Sequence, residues 1–535
     1  MPRLYIVPGT VFLNKPSVLF KEGLHRPAMP IKTQHVLLFF CVLKATLHLI
    51  ADGHSGFQGD ELLHIETGNH LAFGYMEFPP VIGWLASIQN LVPSHSVFLH
   101  HFFPHLASLL ILLFMTKITV ELGGGTKAVF LVLLSVLIAP AFGRSQQLFQ
   151  PVVFSQLFWV LNFYQLLRYV KYGQGKYLWY LSLTLALAFL SKYDAVFFIF
   201  GLLALLCFKN TRRDLIRHRC WWHILVFLLL IAPNLYWQYQ HDFPVLDMFS
   251  RLYETQLNTL TFPRVLQNLI VSVNPVNLLL ILPGIGFMFH TEMRAYRPLC
   301  LSIAFSAGLL AFMQGKAYYF YPIILTLLPI GGIFWAHILR FKRKGLFYPL
   351  AVVLFSGVCL IPFGMPLFPL KSYIKRGYPY EKREVKGGKY GIHFEERYSE
   401  EKWEQTMLAL KATCDSLQQK GHKDIMIWGK HYAQAGAVAL FRDIYQLPPV
   451  FSLHGSFYNW LPQGDLPEIT IALRYSGPEG KRYFEPYFKT VKPVTALFNP
   501  YADEPERLWQ TVFICEQPKV DFTRLQVLFA QRVFE

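Results

Sequence analysis

Residues 51–80 read ADGHSGFQGDELLHIETGNHLAFGYMEFPP, carrying Asp52, Asp60, Glu61, Glu66 and Glu77 with no lysine or arginine. The adjacent Asp60-Glu61 pair is the part best fitted to chemistry. One carboxylate can take a proton from an attacking hydroxyl while a second orients the first or holds a cation. Proton abstraction, a metal site and plain loop polarity all fit the pair taken alone. His54, His64 and His70 lie nearby, so a divalent metal ion is compatible with the loop, but their spacing matches no ligand motif.

Three cations are the complementary feature. Lys192 stands in Phe189-Leu-Ser-Lys-Tyr-Asp194, beside Tyr193; Lys316 precedes Tyr318 and Tyr319; Arg251 closes the polar stretch that starts at His241. An ammonium in such a place can hold a phosphate as a compact point charge. Lys192 can equally pair with Asp194 or reach along the membrane interface, and interfacial tyrosines commonly serve as headgroup anchors.

The elements that must position these groups are apolar. Of 535 residues, 53% are hydrophobic and only 16% charged, against roughly 25% charged in soluble proteins. Runs long enough to span a bilayer recur from residue 35 to residue 366, which makes this a polytopic membrane protein. We read eleven spans, near 35–50, 97–116, 127–142, 150–170, 178–191, 193–208, 221–238, 266–289, 298–313, 318–339 and 346–366.

The formal charge of +17 resides largely in short loops, such as Arg212, Arg213, Arg217 and Arg219, or Arg340, Lys342, Arg343 and Lys344. That is the signature of cytoplasmic loops; no nucleic-acid module accompanies it. Residues 1–34 lack the features of a secretory signal peptide and read as a cytoplasmic tail before an uncleaved first span. The acidic loop, Lys192, Arg251, Lys316 and the C-terminal part then all fall on the opposite, extracytoplasmic face.

Within the long first loop (51–96), segments 60–72 and 79–92 are too short and mixed to cross and fit helices lying in the interface. From about residue 370 the charge density rules out hydrocarbon. Ile425–Trp428 and Ile469–Leu473 read as strands and Ala433–Phe441 as a helix, in a small soluble α/β domain covering 370–535. Five cysteines lie in or beside apolar runs, while Cys414 and Cys515 are placed to pair if that domain is in an oxidising compartment.

The order Asp60-Glu61, Gly74-Tyr75-Met-Glu-Phe-Pro-Pro80, Leu190-Ser-Lys-Tyr193, Pro233-Asn-Leu-Tyr-Trp-Gln-Tyr-Gln-His241 and Lys316-Ala-Tyr-Tyr319 resembles the GT-C superfamily of membrane glycosyltransferases. The resemblance is to the family 39-like members, related to the dolichyl-phosphate-mannose protein mannosyltransferases and the aminoarabinose lipid A transferases, and runs over residues 35–366. Trp428-Gly-Lys-His-Tyr-Ala-Gln-Ala-Gly436 resembles the soluble tail of some bacterial members.

The resemblance implies a GT-C fold and an inverting transfer of a hexose or pentose from a polyprenyl-phosphate-linked donor. The acceptor would be a lipid, glycan or protein at the outer face of the inner membrane. It implies Asp60 as catalytic base with Glu61 beside it. Glu77, Lys192, Tyr193, Arg251, Lys316, Tyr318 and Tyr319 would bind substrate. Two departures stand out: Glu77 replaces the Asp of many relatives, and Ser155 replaces an acidic residue in the fourth span. The rival reading is a transporter or flippase, but transporters place their charges at the midplane of two related halves, which this chain does not have. A scaffold reading leaves the acidic loop without a role.

Overall fold

The structure, a computed structural model, describes residues 29–341, 344–375, 382–385, 389–392, 398, 402–502 and 505–535. A helix forms at each of the eleven apolar runs. Five of these helices, Ile31–Asp52, Phe102–Glu121, Cys220–Gln240, Thr291–Phe312 and Ala317–Leu339, are long and apolar enough to cross a membrane, or seven spans if each of two bent pairs counts as one. Thr126–Leu137, Lys176–Ser191 and Phe347–Phe363 are apolar but shorter.

The run expected as one span over 266–289 is bent by 95° between Phe262–Ser272 and Pro275–Phe287. Asn274 takes a positive φ of 74° at the break, and the proline after it disfavours continued helix. The buried Asn274 amide donates to the carbonyl oxygens of Ile138 and Gly357, both at 2.9 Å, so the break is built into the packing. The 193–208 run likewise loosens into a 3₁₀ segment, Leu202–Cys207, and turns by 108° into Lys209–Arg217.

The bundle core lies where Phe102–Glu121, Thr126–Leu137, Pro151–Tyr172 and Ala317–Leu339 meet, with Ile111, Met115, Val132, Val160 and Leu328 fully buried. Small residues let backbones approach there. A Cβ at Gly331 would stand 2.1 Å from the Leu280 carbonyl oxygen.

The acidic loop is folded. Its first helix, Gly59–Glu66, opens with a reciprocal cap between Gln58 and Glu61 and passes into a 3₁₀ turn, Thr67–Asn69. Pro80 opens the second, Val81–Gln89. The first does not lie open at an interface: Leu62, Leu63 and Ile65 are all buried.

The C-terminal part is the expected α/β domain. Strands β1 (Lys382–Val385) and β2 (Lys389–Ile392) form a hairpin. Strands β3 (Ile425–Gly429), β4 (Val450–Phe451), β5 (Ile469–Tyr475), β6 (Phe488–Phe498) and β7 (Trp509–Pro518) form a mixed sheet in the order β4-β3-β5-β7-β6, with β3 parallel to β4 and β5. Helices Trp403–Gln419 and Tyr432–Tyr445 cover one face, with Cys414 packed among Ile427, Ile471 and Val512. On the other face Cys515 joins Trp428, Ala472 and Phe513. The pairing that the sequence leaves open between Cys414 and Cys515 is not made: both thiols are free and buried, with the sheet between them.

This domain sits directly on the acidic loop. Helix Tyr432–Tyr445 crosses Gly59–Glu66 so closely that a Cβ on Gly436 would come within 2.9 Å of the Leu62 backbone. Trp403 Nε1 donates to the Phe57 carbonyl at 3.0 Å. The first helix of the loop, Gly59–Glu66, is thus packed between the helical bundle and the C-terminal domain.

Candidate functional site

Where these three layers meet they enclose a cavity of about 1970 Å³. Asp60, Glu77, Lys192, Tyr193, Arg251, Lys316, Tyr318 and Tyr319 all line it. Glu61 does not.

The Asp60-Glu61 pair is divided by helical geometry, since neighbours on a helix point about 100° apart. Asp60 turns to the cavity, where its Oδ1 accepts the Tyr432 hydroxyl at 2.6 Å. Burial, and next the Asp60 carboxylate, push the Tyr432 hydroxyl well above its ordinary pKa, so it stays a donor. Tyr432 is stacked on His454 with centroids 4.8 Å apart, and burial lowers that imidazole to about 3, keeping it neutral.

Glu61 turns inward and is fully buried. Its Oε1 accepts from the Phe149 amide and faces His101 Nε2, each at 2.7 Å, while Oε2 accepts from the Gln58 amide at 2.9 Å. The expectation of a second carboxylate at the reacting atoms is corrected here: Glu61 anchors the helix that presents Asp60.

Glu77 is held by Ser456, whose backbone N–H donates to Oε1 at 2.9 Å and whose hydroxyl donates to Oε2. Burial raises its carboxyl to about 7. Lys192 Nζ pairs with Asp194 Oδ2 at 2.8 Å and lies 4.3 Å from the centroid of the Tyr319 ring. Burial opposes its charge, but Asp194 outweighs that and holds Lys192 above its usual range. The local pairing with Asp194 is therefore real, and it leaves Lys192 at the cavity wall. Ser155 donates to Asp194 Oδ1 at 2.9 Å. A carboxylate from the connection between helices Lys176–Ser191 and Ala195–Gly201 therefore stands beside position 155.

Tyr193 is tied down at the cavity edge: its hydroxyl donates to Asn234 Oδ1 at 3.2 Å and accepts from Gln238 at 3.1 Å. Lys316 donates to Gln256, and the Tyr318 and Tyr319 rings lie 4.5 Å apart. Arg251 reaches the cavity from helix Pro244–Leu252. Arg144, Tyr432, His454 and Arg507 line it as well. The last three come from the C-terminal domain and escaped the sequence reading; the string from Trp428 to Gly436, dense in small residues around Tyr432, was the available signal.

The three loop histidines do not converge. His54 Nδ1 meets the Pro366 carbonyl at 3.2 Å, His64 Nδ1 meets that of Phe149 at 3.0 Å, and His70 faces Glu66 while stacking on Trp460.

A helical bundle with helices long and apolar enough to cross a membrane, a folded acidic loop and an α/β cap surround one cation-lined cavity, the architecture of a polytopic membrane protein. Comparison with known proteins agrees. The fold is similar to that of ArnT from Cupriavidus metallidurans bound to undecaprenyl phosphate, with a TM-score of 0.57 at 13% identity, covering 90% of this chain and 98% of that one. The apo state of the same protein gives 0.58 at 12% identity over the same shares. Residues 77–237 match the family model for dolichyl-phosphate-mannose-protein mannosyltransferase. No curated protein matches the chain by sequence. The expected resemblance is met at the level of these matches: the fold is like that of ArnT, and residues 77–237 match the mannosyltransferase family model.

Proposed function

We propose that the protein is an integral-membrane glycosyltransferase. It would move a hexose or pentose from a polyprenyl-phosphate donor to an acceptor lipid, glycan or protein outside the bacterial inner membrane. The observation that carries this reading is that Asp60 and the cations Lys192, Arg251 and Lys316 face one cavity.

Asp60 takes the proton of the acceptor hydroxyl as its oxygen attacks the anomeric carbon. The bond from that carbon to the phosphate oxygen breaks, inverting the centre, and the bonding pair leaves with the phosphate. Lys192, Arg251 and Lys316 meet the charge that develops there, where preorganised cations contribute most to rate. Tyr432 holds Asp60 in place. The fold of a protein solved with undecaprenyl phosphate bound supports a lipid of that class as the carrier.

The reading is tested by mass spectrometry of membrane lipids and envelope glycans in cells carrying wild type or Asp60→Asn at equal levels. Loss of a sugar-bearing product with accumulation of its polyprenyl-phosphate donor is expected. Unchanged pools would overturn the transferase reading.

A further inference from the structure

Behind the cavity, the end of helix Ile31–Asp52 meets the start of helix Phe102–Glu121. There Asp52, His101 and His105 bring a carboxylate oxygen and two ring nitrogens within 4.8 Å of one another. His101 Nδ1 lies 2.7 Å from Asp52 Oδ1, and His105 Nε2 lies 2.7 Å from Asp52 Oδ2. His101 and His105 are four residues apart at the head of one helix, so their rings stand one above the other on a shared face. None of the three lines the cavity.

What separates this cluster from a plain polar network is the set of groups behind it. A metal-bound imidazole characteristically gives its other ring N–H to a carboxylate or a similar acceptor, which fixes tautomer and orientation. Both imidazoles here have such a partner on the far nitrogen. His101 Nε2 is 2.7 Å from Glu61 Oε1, and His105 Nδ1 is 3.0 Å from His48 Nδ1. Asp52 is braced in turn by the Gln147 amide at 2.8 Å. Lys44, one turn before His48 on the same helix, sends its ammonium to the Phe142 carbonyl at 3.1 Å.

We infer that Asp52, His101 and His105 form a site for a divalent transition metal of the zinc class, with water completing the coordination. Two imidazoles and one carboxylate are a donor set that suits zinc and its neighbours rather than calcium or magnesium. Metal–ligand bonds of about 2.0–2.1 Å place tetrahedral ligands roughly 3.3 Å apart, so the 2.7 Å contacts to Asp52 open by about half an ångström while the donor atoms, now within 4.8 Å of one another, draw in to that spacing. The ion takes the place of the proton now shared between each imidazole and Asp52. His105 keeps 14% of its side chain exposed, which gives an ion a way in. The role is positional: the ion fixes His101, His101 fixes Glu61, and Glu61 holds the helix that presents Asp60.

The test uses tag-free, full-length protein in detergent, stripped with a chelator and re-equilibrated with Zn²⁺ or Co²⁺. About one equivalent of zinc should remain after desalting, Co²⁺ should give the visible absorption of a low-symmetry site, and Zn²⁺ should raise the unfolding midpoint. His105→Ala should cut the retained zinc about tenfold, while His54→Ala, whose ring lies elsewhere, should retain it. His105→Gln serves if the alanine variant does not fold. Wild-type protein that holds no zinc and shows no midpoint shift would overturn the site, as would undiminished zinc in the His105 variants. Neither readout involves sugar transfer, so the site stands or falls apart from the transferase reading.

Discussion

The Tyr432 hydroxyl donates to the Asp60 carboxylate across 2.6 Å, joining residues 372 positions apart in the chain. Asp60 belongs to the first loop of the membrane part, and the hydroxyl that orients it belongs to the C-terminal domain. Losing one hydrogen bond to a carboxylate costs about 1.5–3 kcal/mol. Tyr432→Phe should therefore lower the transfer rate by roughly tenfold or more with little change in apparent donor KM. Proteoliposome kinetics at saturating donor checks this, and an unchanged rate would show that Asp60 needs no such support.

Lys192 and Asp194 form a half-buried pair at the cavity wall. Lys192→Ala should raise the apparent donor KM about tenfold, and it also strands Asp194. The double variant Lys192→Ala/Asp194→Ala separates the two effects. If it recovers donor affinity, Lys192 serves only to neutralise Asp194; if affinity stays low, Lys192 meets the phosphate directly.

Glu77 links the acidic loop to Ser456 of the C-terminal domain, with a folded pKa of about 7 against an ordinary 4.5. Between those values the docked state holds a proton that an exposed carboxyl gives up. Docking is thus strongest below about pH 4.5 and weakens as pH rises through about 7, by an amount on the order of 3 kcal/mol. Limited proteolysis of the domain junction at pH 5.5 and pH 8 should show the difference. Glu77→Gln should flatten it, and a flat wild-type profile would remove the titration from the account.

Gly436 is a close helix-to-helix approach between the same two parts, with the Leu62 backbone 2.9 Å from the Cβ position. Gly436→Val should destabilise docking by about 1–3 kcal/mol, as overpacking does. The expected signature is a lowered first unfolding transition with the second unmoved. A single unshifted transition would mean that the helices can separate without cost.

The parts of this site legible in the sequence are those set by local pattern. Lys192, Lys316, Tyr318 and Tyr319 stand at the ends of apolar runs and Asp60 and Arg251 in the connections between them, where a charged or phenolic group is conspicuous, and all reach the cavity. Glu61 looked equivalent to Asp60 because spacing in a string does not report direction around a helix. His101 and His105 were absorbed into the reading of an apolar span at 97–116, where their shared face is invisible. The Tyr432–Asp60 contact spans 372 positions, and the small residues around Tyr432 are its one local trace. Whether Cys414 and Cys515 pair was open in the sequence for a related reason: sequence separation does not say which face of a sheet a thiol occupies.

The close fit of helix Tyr432–Tyr445 over Gly59–Glu66 also orders events in time. A ribosome emits the acidic loop more than three hundred residues before Trp403, Tyr432 and Ser456 exist to complete it. Throughout insertion, Asp60 has a carboxylate but no partner to aim it. The site is therefore complete only when the last domain closes over a loop that has waited through nearly the whole of synthesis.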